Sequence, residues 1–184
     1  MGFDLRKIRA RLERIPKQFT GKVAQIGLPR GANYEDGTPV AYVGAIQEFG
    51  APEVGIPPRP FFRPAVQAHA PQWAALIRHL LPRVSTGELT AAEVLDGAGA
   101  AAAADIQATI ATVYSPALSP VTVLLRKWRK EGRKISGRTV GQAARAIKEG
   151  ENPGSDDKPL NDTGYLIASI ASGVGSADGE DFTK

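Results

Sequence analysis

Asp162-Thr163-Gly164 is the short run in this chain whose residue types could do acid–base chemistry, because aspartic proteases carry their catalytic carboxylate in such a triplet. That chemistry needs two carboxylates sharing a proton, so a chain with one triplet must dimerise to perform it. This chain has one triplet, and polar Asn161 precedes it where the protease pattern has an apolar strand. The following Tyr165-Leu166-Ile167-Ala168-Ser169-Ile170-Ala171 continues like a buried helix. The triplet therefore reads as a helix start, with Asp162 or Thr163 as the cap whose side-chain oxygen accepts from unpaired first-turn amides.

Other reactive constellations are thinner. There is no cysteine, which excludes disulfides and thiolate metal sites, and the two histidines, His69 and His79, stand ten residues apart without a nucleophile motif around any serine. Gly173-Val174-Gly175-Ser176-Ala177-Asp178-Gly179 has the glycines of a phosphate loop but no Lys-Ser/Thr ending, and reads as part of a flexible acidic tail over 172–184. These motifs argue for no enzyme, no cofactor and no metal.

The elements that must position such residues fit one domain over 1–184, with 42% hydrophobic and 23% charged residues. No run is apolar enough for a membrane span, and the mixed N-terminus does not resemble a signal peptide, which favours assembly in a cytoplasm. Charge is uneven. Residues 1–30 hold eight Lys/Arg against two acids, 126–148 hold nine against Glu131, and 149–184 hold eight acids against two bases. Such asymmetry fits a polyanion or an acidic protein surface as partner, or a solvated face.

Leu5, Ile8, Leu12 and Ile15 form one apolar stripe of a basic helix that Pro16 should end. Residues 21–28 and 40–46 read as two strands of a β-hairpin with a long tip at Asp36-Gly37. Five prolines between Pro52 and Pro64 predict an extended, semi-rigid arm over 51–64 carrying Phe61 and Phe62, unless those rings fold back onto the core. A helix over 64–81 should bend or restart at Pro71. Another should run from a Thr90–Glu93 capping box to about Val113, its Gly97, Gly99 and Ala98–Ala104 flank open to close packing within the chain or between subunits. Ser119-Pro120 reads as a further helix start, followed by the cations Arg126, Lys127, Arg129, Lys130, Arg133 and Lys134. Residues 132–158 read as a mobile excursion with a short helix at 140–148.

Taken in order, "VAYVGAIQEFG", "IPPRPFFRPA", "LSPVT" and "KPLNDTGYLIASI" resemble the tail-completion proteins of long-tailed bacteriophages, over most of 38–171. The resemblance implies an α+β fold, a small antiparallel sheet packed against several helices. It implies a structural virion protein at the neck, where the DNA-filled head meets the finished tail. It further implies a hexameric ring between a head-side connector or stopper and the tail terminator or tail tube. Within that frame, Phe49, Arg59, Phe61, Phe62 and Arg63 are the expected interface, because a proline-stiffened segment loses little entropy on docking. The cations from Arg126 to Lys134 are expected to face channel DNA, without reading its sequence, or an acidic partner.

Overall fold

A computed structural model describes residues 5–160 and 162–177. The chain is α+β, seven α-helices and a two-stranded antiparallel sheet among the described residues. In order these are α1 (Leu5–Phe19), β1 (Lys22–Gly27), α2 (Val40–Phe49), α3 (Phe62–Thr86), α4 (Ala91–Thr112), α5 (Pro120–Lys130), α6 (Gly137–Lys148), α7 (Tyr165–Ala168) and β2 (Ala171–Ser176). No described helix is long and apolar enough to cross a membrane.

The centre is α4. It starts where local chemistry says it should: Thr90 N–H donates to Glu93 Oε2 at 2.7 Å and Glu93 N–H to Thr90 Oγ1 at 3.2 Å, satisfying orphan donors reciprocally. Its alanines favour helix and present almost no bulk, so the sheet lies close against it. A Cβ at Gly99 would stand 3.2 Å from Ser172 Cβ and 3.7 Å from Ala24 Cβ. The small-residue flank is thus used inside the chain. Ile106 and Ile110 on the same helix join Val40, Phe61, Ala65, Leu160, Leu166 and Ile170 in the main core. The neighbouring α3 is tied on by Trp73 Nε1, which donates to Asp105 Oδ2 at 2.7 Å.

Several expectations are corrected. The stretch 40–46 is helix, not the second strand of a hairpin, because its buried positions Val40, Gly44 and Glu48 recur every fourth residue. A short run that is apolar nearly throughout shows no period by which to separate the two. The partner of β1 is β2, paired antiparallel from Lys22↔Ser176 to Gly27↔Ala171, where the sequence reads as helix end and loose tail. Only an isolated bridge, Asn33↔Pro39, stands at the expected hairpin tip. Helix α1 continues past Pro16 to Phe19, and α3 runs unbroken through Pro71 and Pro82. The short helix expected at 140–148 is present and starts earlier: α6 is capped by Ser136, and its Ala143 packs with Leu124 and Trp128 of α5 in a second small core. The α1 stripe rests on Leu5, Ile8 and Leu12, whose side chains lie outside the described residues, as does the acidic end over 178–184.

Filling the α4–sheet contact should destabilise the fold. Gly99→Leu is expected to cost about 2 kcal/mol, read as a lower urea midpoint; an unchanged midpoint would mean that the sheet does not rest on this flank.

Candidate docking face and the frame behind it

Glu48 is the only charged residue between Asp36 and Glu53, and it is 5% exposed at the end of an apolar helix. Its carboxylate accepts from three consecutive amides at the start of α3: Phe61 N–H and Phe62 N–H to Oε2 at 2.7 and 2.9 Å, and Arg63 N–H to Oε1 at 3.2 Å. Arg63 Nε donates to Oε1 at 2.8 Å, and Arg63 Nη2 donates to the Glu48 carbonyl at 3.0 Å. The first turn of α3 has no acidic residue and its N-cap makes no side-chain bond. Glu48 therefore caps α3 from another helix, its charge against the positive end of the helix dipole. Burial pushes its carboxyl up, and the bonds from Arg63 and the Phe62, Phe61 and Arg63 amides outweigh that, holding it below its ordinary value.

Gly50 permits this geometry. Its φ is +78°, and a Cβ there would sit 2.9 Å from Ile56 O and Pro58 N. The chain then makes a single 3-10 turn over Pro52–Val54 and returns, Arg59 N–H donating to Gln47 O at 2.6 Å. Arg59 itself is buried. Its Nε donates to Pro116 O at 2.7 Å, its Nη2 to Ala117 O at 3.0 Å and its Nη1 to Gln47 Oε1 at 3.4 Å. Burial first, then the charge of Arg126, pushes its guanidinium below its ordinary value.

The segment 51–64 is consequently a braced return, not an arm held out for docking. Phe61 is 2% exposed in the core, and Phe62 is partly buried with its ring edge-on to Phe61 at 6.5 Å. The alternative that the phenylalanines fold back holds for both. Of the five expected interface residues, Arg59 and Phe61 are frame, while Phe49 and the Arg63 side chain lie outside. The Arg63 guanidinium sits 5.0 Å over the Phe49 ring.

What sequence reasoning missed is the outer face of α2. Tyr42, Ala45 and Phe49 follow at spacings of three and four, opposite Val40, Gly44 and Glu48, and all three are exposed. Tyr42 is 61% exposed and Phe49 65%. A helix buried on one side and apolar on the other presents a surface suited to a partner. Its signal in the sequence was the absence of any polar side for α2, hidden by the strand reading.

The basic segment divides. Arg126 is 8% exposed, with Nη1 donating to Lys158 O at 2.8 Å and Nε 3.6 Å from Asp162 Oδ1, and Arg129 is ion-paired with the same carboxylate. Lys130 pairs with Asp156 at 2.6 Å, Lys127 reaches Asn152 O at 3.5 Å, and Arg133 stacks on Trp128 at 4.6 Å. Arg126 is thus a core ligand and not a channel cation, while Lys134 is exposed. Nor does Asp162 cap α7. Gly164, at φ +74°, is the N-cap and makes no side-chain bond, and Thr163 Oγ1 accepts from Tyr165 N–H at 3.3 Å. Asp162 instead neutralises two guanidiniums that α5 brings to it across the fold.

A groove of about 1020 Å³ lies between the 33–38 loop and α5, with Glu35 and Asp36 on one wall and Arg133 and Lys134 on the other. Tyr34 and Tyr165 meet edge-on in it at 5.2 Å. Burial, then the charge of Asp162, raises the Tyr34 hydroxyl above its ordinary value.

No protein-family model, curated protein or solved structure matches the chain.

Removing the cap should be costly. Glu48→Ala leaves the three α3 amides without their acceptor, and is expected to lower unfolding free energy by about 3 kcal/mol in urea titration, against under about 1 kcal/mol if the carboxylate is incidental. Because its folded pKa is depressed, the contribution of Glu48 is complete above the ordinary glutamate value and is lost as pH falls through the folded one. The wild type should therefore lose stability below about pH 4.3, and Glu48→Gln should flatten that part of the profile.

Proposed function

We propose that this chain is a structural protein of the phage neck, which completes the tail and joins it as a hexameric ring to the DNA-filled head. One observation supports the reading best: the motifs that carry the tail-completion resemblance are separate in sequence and share one frame. Glu48 and Gly50 of the Glu-Phe-Gly seat Arg59 to Arg63. Arg59 holds the carbonyls at 116–117, just before the Ser119-Pro120 helix start, and Arg126 of that helix grips Lys158 and Asp162 of the last motif. The motif residues are joints of a rigid body.

A rigid body with an apolar helix face suits a protein that works by shape. Docking on α2 immobilises few side chains, so little of the binding free energy is spent on ordering. The neighbours in this reading are other copies, a head-side connector or stopper, and the tail terminator or tube. Arg133 and Lys134 in the groove wall are the cations best placed for an acidic surface or for DNA.

The test is electron microscopy of lysates from the parent phage with this gene disrupted and variants supplied in trans. Disruption should accumulate filled heads and full-length tails separately. The pair Tyr42→Ala with Phe49→Ala should yield folded protein yet lower joined particles at least about tenfold, as expected for two interface aromatics. Normal virions from the disrupted phage would remove the neck reading, and normal joining by the double variant would remove the α2 face from it.

A further inference from the structure

Among the described residues the sheet has two strands, and no third strand pairs with either side. Ala177 N–H donates to Gly21 O at 3.0 Å, which fixes the phase of the ladder. Val23–Gly175 and Gln25–Gly173 are then the pairs that exchange hydrogen bonds, and Ala24–Val174 and Ile26–Ser172 are the pairs that do not. The N–H and C=O groups of Ala24 and Ile26 therefore point away from β2, and those of Ser172 and Val174 point away from β1. Among the described residues, no backbone hydrogen bond from another segment reaches the outward groups of Ala24, Ile26, Ser172 or Val174.

Such edges are normally blunted by charge, proline or a bulge. Here β1 and β2 contain one charge between them, Lys22 at the first position, with no proline and six uninterrupted pairs. The side chains of Ala24 and Ser172 face α4, and the other face carries Gly27, Ala171, Gly173 and Gly175 beside Val23 and Gln25.

We propose that these edges are the two halves of one contact between copies of this chain, the β1 edge of one protomer pairing with the β2 edge of the next. They lie on opposite sides of the same sheet, so the contact is head-to-tail and, where the rotation closes, makes a ring. In a rotational ring every β1 runs the same way, so a β2 beside the neighbouring β1 is antiparallel to it. The up-and-down order within a protomer thus continues unbroken across the boundary. It also relieves a two-stranded ribbon, which is marginal alone, by extending it. The inference rests on the ring reading for its closure; the pairing itself rests on the edges.

The test is amide hydrogen exchange on the purified full chain at dilute and high concentration, with mass followed by light scattering. On assembly, the amides of Ala24, Ile26, Ser172 and Val174 should slow at least about tenfold, those of Val23 and Gln25 being protected in both states. Val174→Pro removes only an outward amide, so it should keep the far-UV spectrum and lose assembly; if it does not fold, the exchange comparison still decides. An assembly whose edge amides exchange as fast as in the monomer overturns the pairing and leaves the ring reading standing. A dimer protected on one edge alone overturns the head-to-tail arrangement. A chain monomeric throughout overturns the pairing, and the particle phenotype then judges the neck reading independently.

Discussion

Three consecutive amides at the start of α3 have no acceptors within their own helix, and a single carboxylate from α2 meets them all. Desolvating a charge is expensive, so Glu48 is held there only because Arg63 and the three amides compensate it together. The return of the chain over 50–60 follows from that anchor. Gly50 makes the close turn, Arg59 is delivered to the 116–117 carbonyls, and Phe61 drops into the core beside Ile106 and Ile110. The proline-rich segment is stiff, as its composition says, but its stiffness serves an internal joint.

The same economy recurs at the other end of the fold. Arg126 spans from α5 to the Lys158 carbonyl and, with Arg129, to Asp162, so two of the cations that look free in the sequence are spent on holding the last motif in place. What the two joints leave outside is the apolar side of α2, the mixed-charge groove and the open sheet edges. Those are the surfaces that the proposed reading assigns to other proteins, carried on a body whose polar interior is committed to itself.

Legibility from sequence followed the range of the interaction. The start of α4 was readable because Thr90 and Glu93 satisfy each other three residues apart, and the start of α5 because Ser119 and Pro120 act locally. The small flank of α4 was readable as a packing surface, but whether it packed within the chain required seeing β2. That strand was missed because its glycines suggest a loop and its partner lies at the opposite end of the chain. Asp162 or Thr163 reads locally as the cap of the nearest helix, and Thr163 Oγ1 does accept from the Tyr165 amide, but nothing local announces the two arginines that reach Asp162 from α5. Glu48 carried one clue, a lone acid in an apolar run, whose meaning depends on amides a dozen residues away.

The measurement that addresses the central claim most directly is native-state hydrogen exchange at the Phe61, Phe62 and Arg63 amides near neutral pH. If the buried Glu48 carboxylate anchors the frame, all three should exchange only by opening close in free energy to global unfolding, together with Ile106 and Ile110 of the core. Exchange of the three within about tenfold of an unstructured peptide, while the core amides stay protected, would contradict the account.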